Sequence, residues 1–420
     1  MRLIHSFSPF EEVCVVLDAD NRPVTVAVDR EKRLPVGAVC LARACKSVAA
    51  GRFLDVGGGM TAFLNAPSFY IRPDGSVCRD RLNEGDFLLV QISRPAADGK
   101  EAEADTRVSL PGKTVVLTPA LTENNYSGRL TALAVNRLRE HFPETGVLFR
   151  TAAAKASIDD ISAEISELKD RWNALLNRPK KPQILSRPER DVFRLARKYA
   201  AGGADEIVTD DAETAAALKK LYSNVAFEIG GVWEKRGVGE AVDAALNVRS
   251  PLPSGGFLIT EQTAACVCFD VNSGSGGAMN ANVEACAEIL RQIDLKNLGG
   301  QMIVDFAGRK DKRLLIEMMN RLKRDDVYIA GYSPLGLVEL TVEKNKRSLF
   351  DDFCSPANRG AADVARTLWF ASAAGPVVTV RAPAAVLSRL RPCVERLKSR
   401  LNADIDFQTA DAASLEGIRQ

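Results

Sequence analysis

The chain has 420 residues, 46% hydrophobic and 26% charged, the balance of an ordinary globular protein with length for about three domains. No apolar run reaches the roughly 18 residues of a membrane span and the N-terminus lacks a signal-peptide core, so a cytoplasmic protein without a membrane segment is predicted. A net charge of only +2, nine cysteines without a Cys-x-x-Cys pair and two histidines, His5 and His141, argue against a basic nucleic-acid coat, a disulfide framework and a zinc or His-rich metal site.

Val13–Leu17 and Val24–Val28 flank Asp18-Ala-Asp-Asn-Arg22 and read as a hairpin that opens a sheet. From Val36 to about Ser109 the predicted strands are short and closely spaced (38–45, 52–56, 61–64 and 87–92), with a sharp turn at Asp55-Val-Gly-Gly-Gly59. That spacing fits a small barrel of the OB type. Phe53 and Phe63 flank the turn as candidate stacking platforms for bases, and Lys100, in the polar loop 96–103, as a phosphate contact; the same residues also serve as core packing and a solvated loop.

Thr114–Leu117, a polar turn at 123–128, a helical stretch through Arg139 and the strand 146–149 lead to Arg150 and Thr151. An amphipathic helix over 158–176 follows. Arg150, directly after an apolar strand, suits either bidentate phosphate contact or a surface salt bridge. A strand at 206–209 and a helix at 212–221 precede the Pro- and Gly-rich boundary Arg249-Ser-Pro-Leu-Pro-Ser-Gly-Gly256. Basic clusters at 178–198, 309–313, 344–347 and 389–400 are individually read as solvated faces.

Gly255 to Phe306 reads as strand (257–272), Gly-rich loop (273–277), helix (282–293) and strand (302–304), each strand closing on an acidic residue. As a right-handed crossover this lays two parallel strands together with Asp270, Asn272 and Asp305 at their carboxyl ends. Two carboxylates and an amide there suit a magnesium site; the same residue types also form turns and helix caps. A basic helix (312–323), strands at 327–330 and 335–341, a linker-like stretch at 344–355 and a small α/β segment to Gln420 complete the chain.

Leu252-Pro-Ser-Gly-Gly-Phe-Leu-Ile-Thr-Glu-Gln-Thr263, Phe269-Asp-Val-Asn-Ser-Gly274, Asn282-Val-Glu-Ala285, Leu298-Gly-Gly300, Val304-Asp-Phe306 and Leu335-Gly-Leu-Val-Glu339 together resemble the ribonuclease E/G family, in the right order. Upstream, Phe53-Leu-Asp-Val-Gly57 and Ala62-Phe-Leu64 look like its RNA-binding barrel. Ser109-Leu-Pro-Gly112, Val116-Leu-Thr-Pro119 and Phe149-Arg-Thr-Ala152 look like its 5′-monophosphate sensor.

The resemblance implies an α/β multidomain protein. An RNase H-like subdomain (1–35 and 183–248) would be interrupted by an OB-fold barrel (36–110) and a 5′-phosphate sensor (111–182). A DNase I-like catalytic subdomain (249–345), a linker at a degenerate zinc-link (346–360) and a small α/β domain (361–420) would follow. It implies an endoribonuclease that cuts single-stranded RNA, preferring a 5′-monophosphate end, into 5′-phosphate and 3′-hydroxyl products. Asp270 and Asp305 would hold Mg²⁺, with Mn²⁺ as a substitute, and Asn272 would orient the scissile phosphate. Phe53, Phe63 and Lys100 would grip RNA, while Arg150, Thr151 and backbone near Val116 would bind the terminal phosphate.

The family's Cys-Pro-x-Cys zinc-link is reduced to Phe353-Cys-Ser-Pro-Ala357, so zinc is not expected and a homo-oligomer would form without it. Gly308 stands in place of a second acidic residue, Asp326 in place of a phosphate-contacting arginine, and Ala153 and Ala154 where glycine is common. Glu101 to Asp105 makes the sequence beside Lys100 acidic. These departures also allow a weakly active relative acting as an RNA-binding module; a hydrolase of small phosphate esters is a third reading.

Overall fold

A computed structural model describes residues 1–30, 33–96, 100–143, 145–200, 205–308, 312–324, 326–344 and 346–419, Ala200 by its backbone alone. Residues 309–311 of the basic cluster at 309–313, Asn345 in the cluster at 344–347 and residues 97–99 of the loop leading to Lys100 lie outside these. The chain divides into two units, residues 1–33 with 189–420, and residues 34–188. It is a mixed α/β multidomain protein.

The discontinuous unit opens with a five-stranded sheet ordered Val225–Phe227, Glu206–Thr209, Arg2–Phe7, Glu12–Leu17, Pro23–Asp29. The predicted hairpin forms its edge, antiparallel with Val16 opposite Thr25. Because alternate strand residues face opposite ways, this apolar sheet buries both faces. Leu3, Cys14, Val16 and Ile207 pack against helices Asp191–Ala200 and Ala212–Lys219; Ile4, Val15 and Val208 pack against helix Val238–Leu246. Helix Asp191–Ala200 occupies part of the predicted basic cluster, and its arginines are paired: Arg194 with Asp191 at 2.5 Å and Arg197 with Glu189 at 2.5 Å.

A six-stranded sheet follows, ordered Arg249–Pro251, Phe257–Gln262, Val267–Asn272, Gly300–Asp305, Val338–Val342, Val327–Tyr332. Helices Ala278–Leu295 and Arg313–Leu322 cover one face, burying Phe269, Val304, Cys286, Ile289 and Met319 in a common core. The single strand predicted over 257–272 is instead a hairpin, Phe257–Gln262 antiparallel to Val267–Asn272. Its turn has no Gly or Pro: the Thr263 hydroxyl donates to Cys266 O at 2.8 Å and accepts from Cys266 N at 3.1 Å.

The stretch 346–360, expected as a linker, contains helix Leu349–Phe353 and the first turn of helix Pro356–Phe370. Leu349 and Phe353 are buried against Val242 and Ala245, so apolar packing rather than chain flexibility governs this segment. Asp352, 3% exposed, accepts from Arg30 at 3.3 Å and Arg33 at 2.7 Å. Helix Pro356–Phe370 then packs on strand Val377–Ala382 and helices Ala384–Leu390 and Val394–Leu401.

Lys296, after helix Ala278–Leu295, is fully buried, with its ammonium donating to Gln292 Oε1. Burial, reinforced by Arg291 and opposed by Glu288, pulls its pKa from 10.5 to about 8. The folded value lies below the unfolded one, so the charged form costs stability at neutral pH and the cost is relieved as pH rises from about 8 to 10.5. Lys296→Met removes the titration. Chemical denaturation should find the variant's stability relative to the parent falling by up to about 3 kcal/mol between neutral pH and the ordinary lysine pKa. A difference that stays constant over that range would contradict a charged, buried Lys296.

In the unit 34–188, strands Val39–Val48, Gly51–Gly57, Met60–Asn65, Ala102–Asp105 and Phe87–Arg94 pair in sequence, and the last closes on the first to form a five-stranded barrel. Strand Gln183–Ser186 adds to Val39–Val48 from outside. Alternation places Leu54, Val56, Ala62, Leu64, Val90 and Ile92 inside. A four-stranded sheet of Leu110–Pro111, Val115–Leu117, Val147–Phe149 and Asn125–Tyr126 lies under helix Ile158–Asn173, joined by Phe149, Ile161 and Trp172.

Candidate functional site

Strand Val267–Asn272 turns Val267, Phe269 and Val271 into the core, which leaves Asp270 and Asn272 on the face without helices. Strand Gly300–Asp305 does the same with Met302 and Val304, presenting Asp305. The two strands are parallel, with Asp270 directly opposite Asp305, and both carboxylates are exposed. Adjacent strands lie about 4.8 Å apart, so the carboxylates stand side by side. Asn272 Nδ2 donates to Asp270 Oδ2 at 2.7 Å, which orients both groups.

Two motif residues quoted above without a role prove to be the supports of this cluster. Asn282, fully buried, donates through Nδ2 to Ala307 O and accepts from Ala307 N, both at 2.9 Å, clamping the backbone just beyond Asp305. Glu284 accepts from Ser254 N at 3.0 Å and Ser254 Oγ at 2.9 Å, fixing the Pro-Ser-Gly-Gly turn. A Cβ on Gly256 would come within 2.4 Å of Asn272 O, and one on Gly276 within 2.2 Å of Ser254 O. Only glycine lets the two loops close on the end of the strand that carries the amide. The signal for Asn282 in the sequence was a polar residue on an otherwise core-facing helix stripe.

Lys312 lies 2% exposed at the start of helix Arg313–Leu322, and its Nζ donates to Phe306 O at 2.7 Å. Burial pushes its pKa down, against the opposing pull of Asp305. Asp326 does not leave an uncompensated charge: Arg324 grips it bidentately at 2.9 and 2.8 Å and also pairs with Asp294. Neither histidine joins the cluster. His5 is buried against Thr209 Oγ1 at 2.8 Å, and His141 belongs to the other unit.

Among the described residues no group of three or more His, Cys, Asp or Glu side chains could hold a metal ion. The donor set of Asp270 and Asp305 is therefore two carboxylates. That is unsuited to a closed tetrahedral zinc site, and it fits a hard divalent cation that keeps several waters and takes further oxygens from a phosphate.

In the barrel unit, Phe53 and Phe63 are register partners on the outer surface, their rings edge to face at 5.3 Å and 67°. Phe53 is 36% exposed, so it is a surface aromatic and not core. Lys100 is exposed three residues before Glu103, which pairs in register with Phe63. Among the described residues the acidic run forms no ion pair with it: Glu103 bonds Arg94 at 3.2 Å and Asp105 accepts from Arg107 N at 2.8 Å.

Val116 lies opposite Leu148, and both face away from helix Ile158–Asn173, as does exposed Arg150 two residues on. Arg150 Nη1 donates to Gly112 O at 2.7 Å, and Thr151 Oγ1 is 3.1 Å from Ser127 Oγ. Glu164 holds the receiving loop through Thr114 N at 2.9 Å; burial raises its pKa, but hydrogen bonds from Thr114 and Lys113 more than offset that and leave it lowered. Ala153 and Ala154 sit in a 3₁₀ turn (Thr151–Ala154) without positive φ, so alanine is accommodated there.

The fold and site thus define an α/β protein with an OB-like barrel and a separate sheet bearing a paired-carboxylate cluster. Residues 109–345, more than half of the chain, match the Ribonuclease E/G family, and the chain belongs to that family. It is 27% identical over 351 residues to Ribonuclease G of Salmonella typhimurium, covering 72% of this chain and 71% of that protein. The same identity and coverage hold for Ribonuclease G of Escherichia coli K12. Ribonuclease E of Synechocystis sp. is 29% identical over 327 residues, covering 68% of this chain and 48% of that protein. Among the described residues no helix is long and apolar enough to cross a membrane.

Proposed function

We propose that the protein is a magnesium-dependent endoribonuclease that hydrolyses single-stranded RNA, prefers a 5′-monophosphate end and leaves 5′-phosphate and 3′-hydroxyl products. The observation that carries the reading is the register pairing of Asp270 with Asp305, with the Asn272 amide hydrogen-bonded to the first. Asp270 and Asp305 would hold Mg²⁺, or Mn²⁺ in its place. When bound, such an ion supplies hydroxide at neutral pH and offsets charge developing on the phosphate. Asn272 orients the scissile phosphate, and Asn282 and Lys312 keep the Asp305–Ala307 backbone in place. No histidine base is required.

In the same reading Phe53 and Phe63 stack bases, Lys100 holds a phosphate, and Arg150, Thr151 and backbone at Val116 receive the terminal phosphate. The subdomains would be RNase H-like (1–35 and 183–248), OB-fold (36–110), sensor (111–182), DNase I-like (249–345) and small α/β (361–420). Assembly into a homo-oligomer would proceed without the Cys-Pro-x-Cys zinc-link, and RNA decay and processing would take place in the cytoplasm. The pairing of Arg324 with Asp326 supports a second reading, an RNA-binding module with weak cleavage, because it removes a cation from phosphate contact.

Cleavage of one RNA sequence bearing 5′-monophosphate or 5′-hydroxyl tests the sensor. Arg150→Ala should bring the rate ratio between the two down toward one, with little effect on the 5′-hydroxyl substrate. The expected loss on the monophosphate substrate is about tenfold, the worth of one charge-assisted contact. An unchanged ratio would remove Arg150 from end recognition.

A further inference from the structure

The insert between two barrel strands, residues 66–86, builds a cavity of about 390 Å³ with Phe87 and Lys180. Tyr70, 5% exposed, and Phe87 supply its aromatic wall, and Arg72, Arg81 and Lys180 its cations. Arg72 is partly engaged, 3.6 Å from Asp80. Asp86 is turned toward the local backbone, accepting from Asn83 N at 2.7 Å. Arg81 and Lys180 are exposed, and their side chains have no partner among the described residues. A volume of this size matches small-ligand sites, and aromatic rings beside free cations are the composition that binds a nucleotide: the ring takes the base and the cations take phosphate.

One lining residue of the cavity, Phe87, also stands on the barrel face that carries Phe53. Phe87 is the register partner of Arg43, and Arg43 is the partner of Asp55, two residues from Phe53 on the same outward face. Two strand spacings across and two residues along give about 12 Å between Phe53 and Phe87. Arg52, beside Phe53, donates to Leu82 O at 3.0 Å and so ties the rim residues 81–83 to the Phe53 strand. OB-type sites hold roughly 4 to 16 nucleotides, so one RNA strand can reach both places.

We propose that this cavity is a second nucleotide subsite for single-stranded RNA, continuing the strand held at Phe53 and Phe63. The inference rests on the proposed RNA-binding function of the barrel. Its test uses the full chain carrying Asp270→Asn, so that RNA is not consumed, and fluorescence anisotropy with a tetranucleotide and a dodecanucleotide of single-stranded RNA. The double variant Arg81→Ala/Lys180→Ala should weaken the dodecamer about tenfold and make the slope of log K against log salt shallower by about 1.4, from two lost phosphate contacts. Tetramer binding should be unchanged, and thermal unfolding should match the parent because both side chains are exposed.

Phe53→Ala should weaken both oligonucleotides. If it does while the double variant binds the dodecamer like the parent, the second subsite is overturned and the barrel reading stands. If Phe53→Ala has no effect but the double variant weakens both lengths equally, the cavity is not a continuation of the Phe53 site and the proposal also fails. Loss of uridine monophosphate binding in the double variant, without loss of dodecamer affinity, would mark a free-nucleotide pocket and overturn it as well.

Discussion

Asp270→Asn and Asp305→Asn should each lower the single-turnover rate of single-stranded RNA cleavage by about three orders of magnitude or more, while affinity for the RNA should stay within a few-fold of the parent. The size follows from the geometry. The two carboxylates are opposite one another on parallel strands, exposed and side by side, and among the described residues no third acidic side chain joins them to take over the charge of a lost one. In the proposed mechanism each aspartate would be one ligand of a hydroxide-generating cation, and its loss would remove several kcal/mol of transition-state stabilisation, each 1.36 kcal/mol being tenfold in rate. Both changes are nearly isosteric at exposed positions, so folding should be unaffected. Asn272→Ala, which removes the 2.7 Å hydrogen bond to Asp270, should fall between the parent and these variants. Cleavage that persists in both aspartate variants would remove the pair from the chemistry.

The largest loss of stability from a single polar substitution is expected at Glu11. This carboxylate is 3% exposed and accepts from Arg30 at 3.0 and 2.8 Å and from Arg366 at 2.9 Å. Arg30 and Arg366 are themselves 6% and 9% exposed, and Arg366 lies 3.7 Å over the Trp233 ring. The trio joins the opening sheet to helix Pro356–Phe370, two segments more than 300 residues apart in sequence. Glu11→Gln removes the counter-charge that Arg30 and Arg366 share, leaving Asp352 to the first and Asp363 to the second, and should cost about 1.5–3 kcal/mol in denaturant unfolding monitored on the intact chain. Replacing both partners by apolar groups would cost less than that. A loss below about 1 kcal/mol would mean that the cluster is hydrated and behaves like a surface ion pair.

What could be read from the sequence depended on whether a feature was periodic and local. The crossover that delivers Asp270 and Asp305 was legible because alternating Val267, Phe269, Val271 and Met302, Val304 fix which face each aspartate takes. The barrel was legible from short, closely spaced strands, but its fifth strand, Ala102–Asp105, was read as polar loop and acidic run because two of its four residues are acidic; closure follows from pairing of Val39–Val48 with Phe87–Arg94. The hairpin at 257–272 was not legible, because its turn is made by the Thr263 hydroxyl and not by Gly, Pro or Asn-Gly.

Helix Leu349–Phe353 was hidden in a similar way. Between its two apolar anchors stands Asp352, whose partners Arg30, Arg33 and Arg347 come from distant or polar stretches. Buried Lys296 and Lys312 are the limiting case, since a lysine in a pattern is read as solvent-facing and only tertiary packing reveals otherwise. The supports Asn282 and Glu284 stood within quoted motifs, but their targets, Ala307 and the Ser254 turn, become visible only in three dimensions.

Incubating the purified chain with a 5′-monophosphorylated single-stranded RNA, in Mg²⁺ and in EDTA, and determining the end groups of any fragments tests the central claim most directly. The expected result is internal cleavage in Mg²⁺, fragments with 5′-phosphate and 3′-hydroxyl ends, and intact RNA in EDTA. Cleavage that continues in EDTA, or intact RNA in both, would contradict it.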